Sequence, residues 1–247
     1  MWHVSDKIRR NVLVSSDQGL MIVNRFDHNQ NMVGNGQFIL DHGNICTVEA
    51  NACINAIRHI EKPIIFDIGA NIGAFTTWMS TYFPNGKIYS FEPQRLVFQM
   101  LCGNLAINNL FNVHAYNMAL GKENSRIEFL EPNYNQPNHF GTFSLVNDTI
   151  NEKSDRSIID LCTLDTFVNG FNITNIDLIK VDVEGMDIDV LQGAKTTIER
   201  FKPVIFVEYF DNNRSIKEEL ESIFNQLNYS IEIIGNNILG IHNDKKN

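Results

Sequence analysis

The stretch DIGANIG, Asp67 to Gly73, sets out an acid, a glycine, an amide and a second glycine as D-x-G-x-N-x-G. Glycines at 69 and 73 let a ligand approach the backbone, or simply shape a tight turn. Downstream, Glu92 in FEP follows at about the spacing, roughly 20 residues, at which a dinucleotide fold places the carboxylate that holds a ribose. The pyrophosphate fingerprint needs a glycine where this chain has Asn71, and no G-K-[ST] phosphate loop occurs. The set suits a ribosylated cofactor without phosphates. A nicotinamide cofactor is the alternative, and Asn71 is the feature against it.

Such a turn must be carried by a strand and a helix. Pro63 is excluded from central strand positions, so the apolar run Ile64, Ile65, Phe66 reads as a buried parallel strand that starts at the proline and ends near Asp67. After the turn, Phe75, Trp78, Met79 and Tyr82 recur at spacings of three and four, the apolar face of a helix. In an open parallel sheet, ligands bind at the carboxyl ends of the strands, against the positive end of the next helix.

The pattern repeats. KIYSFEP is a second strand, Val97 and Leu101 mark a helix, and NVHAYNMAL is a third strand, giving βαβαβ with right-handed crossovers. RIEFLEP is an extra strand, followed by a polar excursion, residues 133–157, too long for a routine connection and suited to covering a substrate site. IDLIKVDVEG is the fourth main strand, and Ile188, Leu191, Ala194, Ile198 and Phe201 predict one helix after it. PVIFVEYF is the fifth strand. A helix on Ile216, Leu220, Phe224 and Leu227 then precedes YSIEIIG and ILGIHN, whose short connection demands antiparallel pairing.

Ahead of this lies an extension. NVLVSS and GLMIVN flank a turn at residues 17–19 and predict a hairpin, DHNQNMVGNGQ reads as loop, and residues 47–60 read as a helix capped by Thr47. The expected division is an N-terminal extension over 1–60 and a cofactor-binding domain over 61–247.

With 247 residues, 43% of them apolar, the chain can bury one substantial core. A formal charge of −9 argues against general binding of nucleic-acid backbone. No apolar run approaches the ~20 residues of a membrane span, and MWHVSDKIRR lacks the apolar stretch of a signal peptide, so a cytoplasmic protein is expected. Cys46, Cys53, Cys102 and Cys162 show no metal-ligand spacing and read as reduced packing residues.

DIGANIGAFTTW, FEPQ, NMALG, LDTF, LIKVDVEGMDIDVLQGA and PVIFVEY stand in an order that resembles the FkbM-type methyltransferases, a branch of the class I S-adenosylmethionine-dependent enzymes. The likeness spans residues 49–210. It implies an α/β, Rossmann-like, doubly wound sheet of seven strands, mostly parallel with the last antiparallel, and methyl transfer to a hydroxyl oxygen. It also implies a cofactor site: Asp67, Gly69, Asn71 and Gly73 around the methionine part, Glu92 on the ribose hydroxyls, and Met118 and Ala119 near the adenine. Ile68, Ala70 and Pro93 lie in the same segments and join that site.

In such a reaction the protein must align an acceptor oxygen and remove its proton. Asp182 and Glu184, two apart at the end of the fourth strand, and Glu208 at the end of the fifth are the candidates. If the strand continues, Asp182 and Glu184 share a face; if it has ended, Gly185 permits a turn that redirects Glu184. Clustered carboxylates raise one another's pKa toward that of a useful base. Equally, their hard oxygens suit a divalent cation that would orient the acceptor. His139 in the long loop is an alternative base, Phe140 and Phe143 are either packing residues or a surface for an apolar acceptor, and Lys180 is a structural ion-pair partner. The acceptor itself is expected to be a small molecule or glycan. A binding module without catalysis is the third reading.

Overall fold

A computed structural model describes residues 10–30, 32–141, 156–209 and 214–245. The expected hairpin is present: β1 (Asn11–Ser16) and β2 (Gly19–Asn24) pair antiparallel, with Ser16 opposite Gly19. Next come α1 (Asn35–His42) and α2 (Thr47–Ile57). The first turn of α1 falls inside the stretch expected to be loop. Gly34, Asn35 and Gly36 give no local helix signal, and the cap is supplied from outside the helix, where the Gly36 amide donates to Asp27 Oδ2 at 2.7 Å. Thr47 does not cap α2; Cys46 stands at that position with φ 59°, and Thr47 is already helical.

The main unit runs β3 (Ile64–Ile68), α3 (Ala74–Tyr82), β4 (Lys87–Phe91), α4 (Arg95–Ile107), β5 (Val113–Tyr116), β6 (Ala119–Leu120) and β7 (Ser125–Leu130). It continues with β8 (Arg156–Cys162), α5 (Leu164–Gly170), β9 (Leu178–Val181), α6 (Asp187–Gln192), α7 (Lys195–Phe201), β10 (Val204–Glu208), α8 (Arg214–Gln226), β11 (Tyr229–Ile234) and β12 (Asn237–His242). Seven strands form one sheet in the order β11-β12-β10-β9-β3-β4-β5. β5, β4, β3, β9 and β10 are mutually parallel, and β12, the last strand, runs antiparallel between β10 and β11. The Rossmann-like sheet is therefore as expected.

Three elements differ from expectation. NVHAYNMAL is two strands, because β6 leaves the main sheet and joins a three-stranded sheet, β6-β8-β7. β8 and α5 were not anticipated; they bring the chain back from β7 to the centre of the main sheet. The single helix expected over Ile188 to Phe201 is broken at Gly193. A Cβ there would lie 2.0 Å from the Gly121 carbonyl, and Asp165 accepts the Thr196 and Thr197 amides at 3.1 and 2.7 Å, starting α7 afresh.

Apolar side chains on both faces of the sheet explain its burial. On one face Ile65, Ile88 and Phe206 pack with Ala50, Ile57, Phe75 and Met79 from α2 and α3. On the other, Phe66, Phe91, Ile179 and Val207 pack with Phe167, Val190, Ile198 and Phe224. Each such side chain contributes roughly 1.5–3 kcal/mol when fully buried. The hairpin is fastened to α4 by two asparagines one turn apart. Asn104 and Asn108 each exchange hydrogen bonds in both directions with the backbone of β2, at Ile22 and Leu20, as a neighbouring strand would. No helix among the described residues is long and apolar enough to cross a membrane.

Candidate active site

A cleft of about 280 Å³ opens at the carboxyl ends of β3, β4, β9 and β10. Its floor is the β3–α3 turn. Gly69 (φ 85°) donates its amide to the Phe91 carbonyl at 3.0 Å, and a Cβ there would meet the Asp182 carbonyl oxygen at 1.8 Å. Only glycine lets β3 and β9 sit this close. Gly73 (φ 89°) starts α3 and lies against Leu101, whose Cδ1 would be 2.6 Å from an added Cβ. Both glycines therefore answer a packing demand, whatever binds above them.

Beneath the turn, Asp67 is fully buried and does not line the cleft. Its Oδ2 accepts from the Thr76 hydroxyl at 2.5 Å, and its Oδ1 lies 3.4 Å from Lys180 Nζ. Lys180 also reaches Asp182 Oδ2 at 3.0 Å and the Gly69 carbonyl at 3.3 Å. Lys180 lines the cleft, and its ammonium group ties β3 to β9. Burial acts against its charge, and the carboxylates of Asp182 and Asp67 outweigh that and hold it protonated.

At one end of the cleft stands Glu92, buried just past β4. Its Oε1 accepts the Gln94 amide at 2.7 Å and its Oε2 the Asn71 amide at 3.0 Å. Burial pushes its pKa up to about 7, against the pull of those two amides. Phe91, Pro93, Met118, Ala119 and Leu120 line the cleft nearby. Asn71 adopts φ 51° and spends its side-chain oxygen on the Ile72 amide at 2.7 Å.

At the other end, Asp182, Glu184 and Glu208 each present a carboxylate oxygen within 4.8 Å of the others. β9 stops at Val181, so the redirected turn is the alternative that holds: Glu184 adopts φ 53° and Gly185 φ 98°. Asp187 fastens this turn by accepting the Val183 and Gly185 amides, both at 3.2 Å. Burial, then the charges of Asp182 and Asp187, push Glu184 up to about 8. Burial and the hydrogen-bonded Asp182 carboxylate push Glu208 up to about 9. Asp182 moves the other way. Burial would raise it, but the Lys180 charge and hydrogen bonds from Glu208 and Lys180 hold it below the usual carboxylate range.

The remaining sequence candidates divide cleanly. Ile68, Gly69, Ala70 and His139 line the cleft with the residues above, whereas Asp67 and Gly73 lie beneath it. Phe140 is 2% exposed and packs on Tyr134 at 4.8 Å between centroids, so it is a packing residue; Phe143 lies outside the described residues. Met32, Asn35, Cys46, Phe75, Gln94 and Gly141 also line the cleft and were not singled out as site residues. The four cysteines are free thiols. Met32 and Asn35 precede or open α1, a helix that gave no sequence signal, and no motif marked them.

The family profile described as "Methyltransferase FkbM domain" matches residues 67–231. The chain belongs to the FkbM methyltransferase family. The FkbM match begins at Asp67 under the turn and ends inside β11, so it contains Glu92 and all three carboxylates of the far end. The hairpin, α1 and α2 lie outside it. "Methyltransferase 1" of Beauveria bassiana (strain ARSEF 2860) is 27% identical over 155 residues, 57% of this chain and 62% of that protein. "2-O-methyltransferase NoeI" of Sinorhizobium fredii (strain NBRC 101917 / NGR234) is 27% identical over 169 residues, 62% of this chain and 66% of NoeI. The crystal structure of an FkbM methyltransferase from Methylobacillus flagellatus KT shares the fold at a TM-score of 0.54 and 16% identity, over 74% of this chain and 44% of that one. The chain thus spans less than two thirds of each of these three proteins.

Proposed function

We propose that this FkbM chain is an S-adenosylmethionine-dependent O-methyltransferase acting on a hydroxyl of a small molecule or sugar. The observation that carries the reading is the pairing of the cleft's ends: a buried carboxylate beside apolar walls at one, and Glu184 among further carboxylates at the other. The name of the NoeI relative, a 2-O-methyltransferase, supports oxygen as the acceptor atom.

The cleft fits the cofactor. Both Glu92 oxygens keep acceptor capacity after bonding one amide each, enough for two hydroxyls. Phe91, Met118, Ala119 and Leu120 offer apolar contact for a purine, and Gly69, Ala70 and Asn71 line the cleft beside them. When bound, the cofactor supplies an activated methyl group. Glu184 is placed to take the proton that an acceptor hydroxyl gives up, and a pKa of about 8 suits that task at neutral pH. Asp182, held ionised by Lys180, orients the hydroxyl, and Glu208 hydrogen-bonds Asp182.

Glu184→Gln should leave S-adenosylhomocysteine affinity, measured by calorimetry, within about twofold, and cut methyl transfer to a panel of methyl glycosides and phenols by about 10²–10⁴-fold. Wild-type turnover should rise with pH through about 8. Full turnover in Glu184→Gln removes Glu184 as the base. A second reading draws on the 4.8 Å grouping of Asp182, Glu184 and Glu208, which offers three hard oxygens to a magnesium-like ion. There, chelator suppresses turnover and added metal restores it; the base reading expects chelator to have no effect.

A further inference from the structure

We infer that Asp27, outside the family match, is a positioning residue that clamps the cleft's roof and couples it to the cofactor carboxylate Glu92. The inference rests on the reading of Glu92 as a cofactor ligand. It starts from a buried carboxylate, 3% exposed, in a segment that forms no strand or helix. Asp27 Oδ2 accepts the Gly36 amide at 2.7 Å, Oδ1 accepts the Phe140 amide at 2.9 Å, and its own carbonyl accepts the Gly34 amide at 2.9 Å. One side chain therefore fastens two segments more than a hundred residues apart.

Both segments face the cleft. Phe140 stands between the lining residues His139 and Gly141, and Gly36 follows the lining residue Asn35. At Gly34 the approach needs glycine, since a Cβ would lie 2.1 Å from Asp27 Oδ1; one at Gly36 would lie 2.9 Å from the Asn24 carbonyl and 3.2 Å from Asp27 Oδ2. A Cβ at Gly141 would lie 3.3 Å from the Asn71 side chain, so the roof rests on the cofactor turn.

From Phe140 the connection continues inward. Its carbonyl accepts Gln94 Nε2 at 2.9 Å, Gln94 Oε1 accepts the Tyr134 hydroxyl at 3.0 Å, and the Gln94 amide donates to Glu92 Oε1 at 2.7 Å. Releasing Phe140 removes one of the two side-chain partners of Gln94, whose backbone amide is one of the two groups that aim the Glu92 carboxylate. Such hydrogen-bonded chains carry coupling beyond their pairwise worth.

The test is S-adenosylhomocysteine affinity by calorimetry on the full chain. Asp27→Asn and Gln94→Met should each weaken binding by about tenfold, the scale of one charged hydrogen bond, and the double variant should be no weaker than about either alone. Asp177→Asn is the control for a purely structural carboxylate. Asp177 is also buried and holds the Ile64 amide at 2.8 Å, so its variant should lower the melting temperature and leave affinity unchanged. A folded Asp27→Asn protein that binds like wild type overturns the inference. Failure of wild type to bind would overturn the cofactor reading instead, and amide hydrogen exchange then decides this one. Faster exchange in Asp27→Asn at Gln94 and Asn71 supports the coupling, and acceleration confined to Gly36 and Phe140 refutes it.

Discussion

The two ends of the cleft handle carboxylates in opposite ways. Glu92 has each oxygen on a backbone amide, at 2.7 and 3.0 Å, and its nearest partners are fixed dipoles of the main chain. Asp182, Glu184 and Glu208 instead crowd one another, with a single buried ammonium, Lys180, bonded to Asp182. On the proposed reading, the first end holds a shape and the second moves a proton. Backbone amides set the orientation of Glu92 and only partly offset the cost of burying its charge, while like charges in a partly buried group force protons to be shared.

Lys180→Met should have the largest effect and break the comparison outright. It leaves fully buried Asp67 and neighbouring Asp182 without their cation, a loss of about 3–5 kcal/mol in unfolding free energy by denaturant titration. A loss under about 1 kcal/mol would mean that Lys180 does not hold the floor together.

Next in size is a separation of the ends by pH. Glu92, Glu184 and Glu208 all bind protons more tightly when folded than an ordinary glutamate, whose pKa is 4.5. From about 4.5 to about 9 the folded chain therefore binds more protons than the unfolded one, and stability falls as pH rises. Thermal midpoints should decline across that window. Glu92→Gln should flatten only the part below about 7, whereas Glu208→Gln should flatten the whole window up to about 9, including the part above 7 that Glu92 does not reach. If Glu208→Gln leaves the upper slope unchanged, the far end does not titrate as described.

The smallest effect sharpens the contrast from outside. Lys122 and Asp189 form a largely solvent-facing ion pair at 3.4 Å, and neither lines the cleft. Lys122→Ala should change stability by less than about 1 kcal/mol and leave the pH profile alone. A larger change would show that charges outside the cleft contribute to its balance.

The end built on backbone amides was the more legible one. The turn, Glu92 and the strands beneath them are set by short-range rules: an apolar run, a glycine pair, a helical period. The far end was legible as a list of acids, but the left-handed conformation of Glu184 was only one of two options, because nothing local says where β9 stops. The roof was the least legible. α1 takes its cap from Asp27 and has glycines at its N-cap and second position, Gly34 and Gly36, so propensity gives it little support. Gly193 misled for the reverse reason: the apolar period runs on through it from α6 into α7, while packing against Gly121 breaks the helix. β8 starts inside a polar stretch with Arg156 and Ser157, and its apolar residues Ile158, Ile159, Leu161 and Cys162 do not alternate cleanly with polar ones.

The position of β9 has a consequence for how the chain is made. β9 lies between β3 and β10, and the β3 side of that join links positions 113 residues apart, Asp177 to Ile64. During synthesis at about 5–20 residues per second, β3 emerges several seconds or more before the strand that covers one of its edges. For that interval an apolar, unpaired strand edge is open to any other extended segment. Chaperone dependence in the nascent chain should therefore be concentrated between the emergence of β3 and that of β9.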